Sequence, residues 1–258
     1  MKTLNTFYQY VFKQFTHQGS LVTLIWGLVV FGLLTFSWLP QPYSTITWVI
    51  LVLVISTYNY WRPDRLLQNA VQDGDIQKAK EYLIKGGNVD SQGPDGYTAL
   101  HHAARNAHRE IVELLIAYEA KVNLTTNFGT QPLHSAVMGG NLDIIKLLIE
   151  NGAFIDVKDS EKLTPLNCIL HYPAAKNRIE VANFLIKNNA DVNTKDLDGI
   201  MPLHKAIVKS YQEIAILLIQ NGAEINSRMK NGKTPLTLAL EGGYENLTEL
   251  LKAYGAVE

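Results

Sequence analysis

The histidines and the single cysteine of this chain are the residues whose types and spacing first suggest metal binding or nucleophilic chemistry. The chain contains seven histidines and one cysteine, Cys168. Three histidines, His101, His134 and His204, occupy one position of a repeated pattern, 33 and then 70 residues apart. Packed helices lie about 8–10 Å apart, whereas the ligands of one zinc ion all lie roughly 2 Å from it. If the repeats stack as successive layers of helices, these histidines lie too far apart to bind one metal ion. We therefore predict no metal site.

A nucleophilic role for Cys168 would need a neighbouring base and a lowered thiol pKa. No histidine is predicted beside Cys168, so we interpret it as a small packing residue. The chain contains no G-x-S-x-G, H-E-x-x-H or phosphate-binding glycine-loop motif. We therefore predict that the protein is not an enzyme and uses no catalytic residue, cofactor or small-molecule substrate.

A repeated pattern would position these residues. Five segments align in phase, with steps of 33, 33, 37 and 33 residues between them. They are TALHHA (98–103), QPLHSA (131–136), TPLNCI (164–169), MPLHKA (201–206) and TPLTLA (234–239). A degenerate sixth copy, RLLQNA (65–70), lies 33 residues upstream of the first. Pro at the second position suits the first turn of a helix, and Thr before it can cap that helix. Each copy is thus predicted to begin a helix, and a second apolar helix follows it.

A left-handed residue is expected where each second helix ends. Glycine occupies this position in four units, at residues 86, 152, 222 and 255. Asn189 occupies it in the fourth unit, which is acceptable because Asn adopts this conformation. Glu119 occupies it in the second unit, so we predict a strained or altered turn there.

The 33-residue period and the T-P-L-H-x-A pattern of these segments resemble the ankyrin repeat. The resemblance extends over residues 64–258 and implies an all-α ankyrin-repeat solenoid of about six repeats. In this family the recurring histidine is a structural hydrogen-bonding residue that steadies neighbouring loops. The fourth unit is four residues longer, between residues 171 and 177. We interpret the extra length either as a specific contact or as a tolerated insertion.

The resemblance also implies a protein partner, of unknown identity, on the concave face formed by hairpin tips and first helices. The residues predicted to face that partner are His102, Arg105, Ser135, Met138, Lys158, Lys195, Lys205, Arg228 and Lys230. The later tips form a basic row, which would suit an acidic partner or anionic lipid headgroups. Ordinary solvated loop charge explains the row equally well.

Two apolar, charge-free runs precede the repeats, at residues 20–39 and 43–61. As helices, each would span roughly 30 Å, the thickness of the hydrocarbon core of a bilayer. We therefore expect a transmembrane helical hairpin over residues 20–61, preceded by an interfacial amphipathic segment over residues 1–19. A cleaved signal peptide is disfavoured, because the first run is too long and a second follows it at once.

The positive-inside rule places both termini of such a hairpin in the cytoplasm, at the inner membrane if the source is bacterial. The net charge of −1 gives no indication of a nucleic-acid partner. The expected function is a membrane-anchored scaffold or inhibitor that mediates protein–protein interaction, with a membrane-proximal protein and the lipid bilayer as partners. The alternatives are a regulatory subunit of a membrane protein complex and a toxin-immunity factor.

Overall fold

The computed structural model describes residues 63–172 and 177–257. These residues form twelve α-helices, and no strand occurs among them. The helices are α1 (Pro63–Gln72), α2 (Ile76–Ile84), α3 (Ala99–Arg105), α4 (Arg109–Ala117), α5 (Pro132–Gly139), α6 (Leu142–Glu150), α7 (Pro165–His171), α8 (Arg178–Lys187), α9 (Pro202–Val208), α10 (Gln212–Gln220), α11 (Pro235–Glu241) and α12 (Glu245–Ala253). They form six helical pairs, which we number units 1 to 6.

The helices pack in two layers. In the first-helix layer (α1, α3, α5, α7, α9 and α11), each helix contacts the first helix of the next unit. In the second-helix layer (α2, α4, α6, α8, α10 and α12), each helix does the same. One apolar core runs between the layers from Leu67 in α1 to Leu251 in α12. Stacking therefore buries apolar faces that no single pair could bury by itself.

The helix starts confirm the roles predicted for the repeated segment. The hydroxyls of Thr98, Thr164 and Thr234 each accept a hydrogen bond from a backbone amide in the first turn. Proline stands in the first turn of α5, α7, α9 and α11. These local interactions fix where each first helix begins.

The recurring histidines connect neighbouring units. Nδ1 of His101, His134 and His204 accepts a hydrogen bond from the backbone amide of the capping residue before its own helix. Their Nε2 atoms therefore carry the proton. Each Nε2 donates to a backbone carbonyl of the following loop, on Thr130, Leu163 and Ser227 respectively, over 3.1 Å. The predicted structural role of these histidines is confirmed.

The ends of the second helices confirm the left-handed position. The glycines there have positive φ, as do Glu119 (φ 62) and Asn189 (φ 67). In units 3, 5 and 6, which end in glycine, an Asn of the preceding unit makes two hydrogen bonds to the turn. For example, Asn123 donates to the carbonyl of Gly152 and accepts from the amide of Phe154. At the Glu119 turn, Asp90 stands at the equivalent position and only accepts, from the amide of Lys121.

The prediction of a two-span membrane protein is wrong on the evidence of the described residues. Within residues 63–172 and 177–257, no helix has the length and apolar character needed to cross a bilayer. The longest helices there have 10 residues, or about 15 Å, against roughly 30 Å of hydrocarbon. The runs at 20–39 and 43–61, and the predicted segment 1–19, lie outside the described residues.

Candidate binding groove

A groove of about 460 Å³ lies between the hairpin tips and the ends of the first helices in units 2 to 4. Its walls come from three consecutive units, so the stacking of the repeats creates it. The lining residues are Tyr97, Arg105, Asn106, Phe128, Thr130, His134, Met138, Gly139, Asp159, Ser160, Glu161, Cys168 and Tyr172.

Apolar and aromatic side chains line the middle of the groove. Phe128, at a hairpin tip, leaves 54% of its surface exposed. Met138, at the end of α5, and Tyr97 and Tyr172 on either side are partly exposed. Such side chains gain free energy when a partner covers them. The groove therefore offers a surface on which a partner can bury apolar atoms.

Gly139 holds two first helices close together beside the groove. A Cβ atom at this position would lie 2.6 Å from the carbonyl oxygen of Arg105 and 2.9 Å from that of Ala104. Any larger residue would push α5 away from α3 and change the width of the groove. Gly139 is thus a positioning residue of the groove.

The two ends of the groove carry opposite charges. Arg105, in the last turn of α3, is exposed at the unit 2 end. Asp159 and Glu161, in the hairpin before α7, lie at the unit 4 end. The carboxylate of Asp159 accepts hydrogen bonds from the amides of Glu161 (2.9 Å) and Leu163 (2.8 Å), so the hairpin holds it in place.

A buried ion pair lies one unit further along. Lys205 Nζ is 2.7 Å from the carboxylate of Asp196, and both side chains are about one tenth exposed. Burial raises the pKa of Asp196, but hydrogen bonds from Lys205 and from the amides of Ile200 and Asp198 outweigh it and hold the pKa below its usual value. The Asp196 carboxyl group is therefore charged at neutral pH.

The predicted partner-facing residues have different environments. Arg105, Lys158, Lys195, Arg228 and Lys230 are exposed, and His102 and Met138 are partly exposed. Ser135 and Lys205 are buried instead of facing solvent as expected. Ser135 is enclosed by the packed helices around α5, and Lys205 is drawn inward by Asp196.

Only Arg105 and Met138 of the predicted set line the groove. In the basic row of the later tips (Lys158, Lys162, Lys195, Arg228, Lys230 and Lys233), two lysines are paired with carboxylates. Lys230 pairs with Asp198, and Lys233 pairs with Glu241. The sequence analysis missed Phe128, Asp159 and Glu161. The signal for Phe128 was an aromatic residue at the tip position that Asp95, Asp198 and Asn231 occupy in other units.

The recurring histidines and Cys168, which first suggested chemistry, are buried in the packed repeats. Burial lowers the pKa of His101 to about 4 and the pKa of His134 and His204 below the usual value. Cys168 is buried, and burial raises the pKa of its thiol. In the part of the chain that the structure describes, no group of His, Cys, Asp and Glu side chains is placed to hold a metal ion.

Comparison with known proteins agrees with the fold. The family description "Ankyrin repeats (3 copies)" matches residues 67–159 and 170–257. The human Notch-regulated ankyrin repeat-containing protein is 34% identical over 104 residues, which are 39% of this chain and 91% of that protein. A putative ankyrin repeat protein of fowlpox virus, FPV014, is 30% identical over 143 residues, or 55% of this chain and 32% of the viral protein. The E3 ubiquitin-protein ligase KEG of Arabidopsis thaliana is 29% identical over 156 residues, or 56% of this chain and 10% of the ligase.

Proposed function

This chain belongs to the ankyrin-repeat family, and from that premise we propose that it is a non-enzymatic protein-binding module whose partner occupies the groove of units 2 to 4. The observation that carries the proposal is the exposed apolar surface of Phe128 between charged walls. An aromatic side chain held at a hairpin tip resembles the anchors that dominate protein interfaces. Because the stacked repeats already hold this side chain in place, little conformational entropy is lost when a partner binds.

The engagement of the histidines supports a binding role over a catalytic one. In His101, His134 and His204, both ring nitrogens bond to backbone groups. Neither nitrogen is thereby available to take a proton from a substrate. These side chains stiffen the scaffold that presents the groove.

Site-specific photo-crosslinking tests the proposal. The photoreactive amino acid p-benzoyl-phenylalanine is placed at Phe128 or Met138 in the groove, or at Gln220 in the second-helix layer as the control. The full chain is expressed in the organism that encodes it and irradiated, and crosslinked products are identified by mass spectrometry. We expect the same discrete protein from both groove positions and not from position 220.

A blocking variant makes this test specific. Met138→Arg fills the groove and should abolish the crosslink from position 128, whereas Gln220→Arg should leave it unchanged. Equal crosslinking from all three positions, or crosslinking from position 220 alone, would refute a partner site in the groove.

A further inference from the structure

Corresponding positions in successive units place different residue pairs between the hairpin tip and the first helix. The pairs are Thr126 with Ser135 in unit 3, Asp159 with Cys168 in unit 4, Asp196 with Lys205 in unit 5 and Met229 with Leu238 in unit 6. The pairs in units 3 and 6 are uncharged, and the pair in unit 5 is an ion pair. Unit 4 alone among these four combines a carboxylate with an uncharged partner. Unit 4 therefore has a carboxylate at the position of Asp196 but no ammonium group at the position of Lys205.

Asp159 and Asp196 play the same part in their hairpins. Each carboxylate accepts from two backbone amides, those of Glu161 and Leu163 for Asp159, and those of Asp198 and Ile200 for Asp196. The repeat geometry thus delivers both carboxylates to equivalent places. Among the described residues, no cationic side chain lies within 4.0 Å of the Asp159 carboxylate.

We propose that the groove binds a polypeptide segment whose lysine or arginine side chain pairs with Asp159, in the place that Lys205 Nζ takes beside Asp196. The inference rests on the proposed function and names the chemistry of the partner. Asp159, Cys168 and Glu161 all line the groove, so a side chain entering from solvent reaches the carboxylate. Glu161, with 55% of its side chain exposed and its carboxylate 3.9 Å from Nε2 of His171, adds a second carboxylate at the entrance.

The remaining walls determine what flanks the basic residue. Phe128, Met138 and Tyr172 present apolar surface next to Asp159. A segment with apolar residues beside its basic side chain would cover that surface. Arg105 lies two units away, roughly 16–20 Å by the spacing of packed helices. It disfavours a second basic residue at that end, so the basic side chain enters at the unit 4 end.

Peptide selection on the full chain tests the inference. A random phage-displayed peptide library is selected on the wild-type chain and on Asp159→Asn, which keeps an oxygen for the hairpin amides but removes the charge. We expect wild-type selections to be enriched in one Lys or Arg flanked by apolar residues. Selections on Asp159→Asn should lose the basic residue and keep the apolar ones.

The pairing itself is measured with one selected peptide in two forms. Replacing its lysine by norleucine should weaken binding to the wild-type chain about tenfold, and binding to Asp159→Asn less than twofold. Cys168→Lys supplies an ammonium group from the chain itself and should weaken the lysine peptide to a similar degree. Gln220→Lys adds the same charge in the second-helix layer and should have no effect.

Three results would overturn the inference: no enrichment of peptides, no preference for a basic residue, or an equal norleucine effect on both chains. Because Asp159→Asn is isosteric, the test stands even if Cys168→Lys does not fold. Peptides that crosslink through position 128 but ignore Asp159 would refute only this inference. Peptides that bind equally well to Met138→Arg and crosslink through position 220 would count against the proposed function as well.

Discussion

Nε2 of His134 donates a hydrogen bond to the backbone carbonyl oxygen of Leu163, 29 residues further along the chain and 3.1 Å away. This bond joins α5 to the loop that leads into α7. Equivalent bonds from His101 and His204 repeat it in units 2 and 5. The ring nitrogens that could have bound a metal ion therefore form hydrogen bonds that connect neighbouring units.

Acid should weaken the stack through these histidines. Burial lowers the pKa of His101 to about 4 and lowers that of His134 and His204, so the unfolded chain takes up protons first. Stability is thus full above about pH 6.5 and falls as the pH drops from there towards the folded pKa. We expect His101 to account for a loss of about 1 kcal/mol between pH 7 and 5.5, and His134 and His204 to add to the loss in the same direction, measured by urea unfolding at both pH values.

A variant identifies the source of the pH dependence. His101→Asn copies the residue that unit 4 carries at this position, Asn167. This variant should be less stable at pH 7 but should lose about 1 kcal/mol less on acidification. An unchanged slope would show that His101 does not titrate in this way.

The Lys205–Asp196 pair should be costly to break from one side. Lys205→Met keeps the apolar stem but leaves the largely buried Asp196 carboxylate without its ammonium. The free energy of unfolding should fall by about 3 kcal/mol, measured by chemical denaturation. In the double variant with Asp196→Asn, the loss should be clearly smaller than the sum of the two single losses. Additive losses would contradict the pairing.

Glu119 should be a weak point of the stack. Its φ of 62 places a side chain in the left-handed region, at a cost of about 1–2 kcal/mol. Glu119→Gly relieves this cost but gives the unfolded chain more freedom. We therefore expect a net gain of about 0.5–1 kcal/mol in the free energy of unfolding. Gly152→Glu, where an added Cβ meets nothing within 4 Å, is the matched reverse change and should lose a similar amount.

Cys168 should be protected from thiol reagents in the folded protein. It lies at the groove but is only 1% exposed, and burial raises the pKa of its thiol. Its reaction with an aromatic disulfide reagent should be at least about a hundredfold slower than that of a cysteine introduced at Gln220 in a Cys168→Ala background. Denaturant should bring the two rates together. Rapid labelling of Cys168 in the native protein would mean that the groove opens far enough to expose the thiol to solvent.

The repeat architecture could be predicted because its determinants are local and periodic. Thr98, Pro132 and the glycines at helix ends act within a few residues of their own position. The start and end of each helix can therefore be predicted from the sequence of its own repeat. The strain at Glu119 was visible for the same reason. The sequence also indicated that Arg105 and Met138 face one surface.

The groove itself depends on packing between units, which a single repeat does not encode. Lys205 occupies a position predicted to face a partner, yet the carboxylate of Asp196 draws it inward. Ser135 shares that position and is buried by neighbouring helices. The mismatch of Asp159 with Cys168 becomes visible only when unit 4 is compared with unit 5 in three dimensions.

Hydrogen–deuterium exchange of the full chain, with and without the protein captured from positions 128 and 138, tests the central claim most directly. The account predicts slower exchange in the C-terminal half of α3, in α5 and in the hairpins at 126–130 and 159–163, with the second-helix layer unchanged. Protection confined to α4, α6, α8 and α10 would contradict a partner site in the groove.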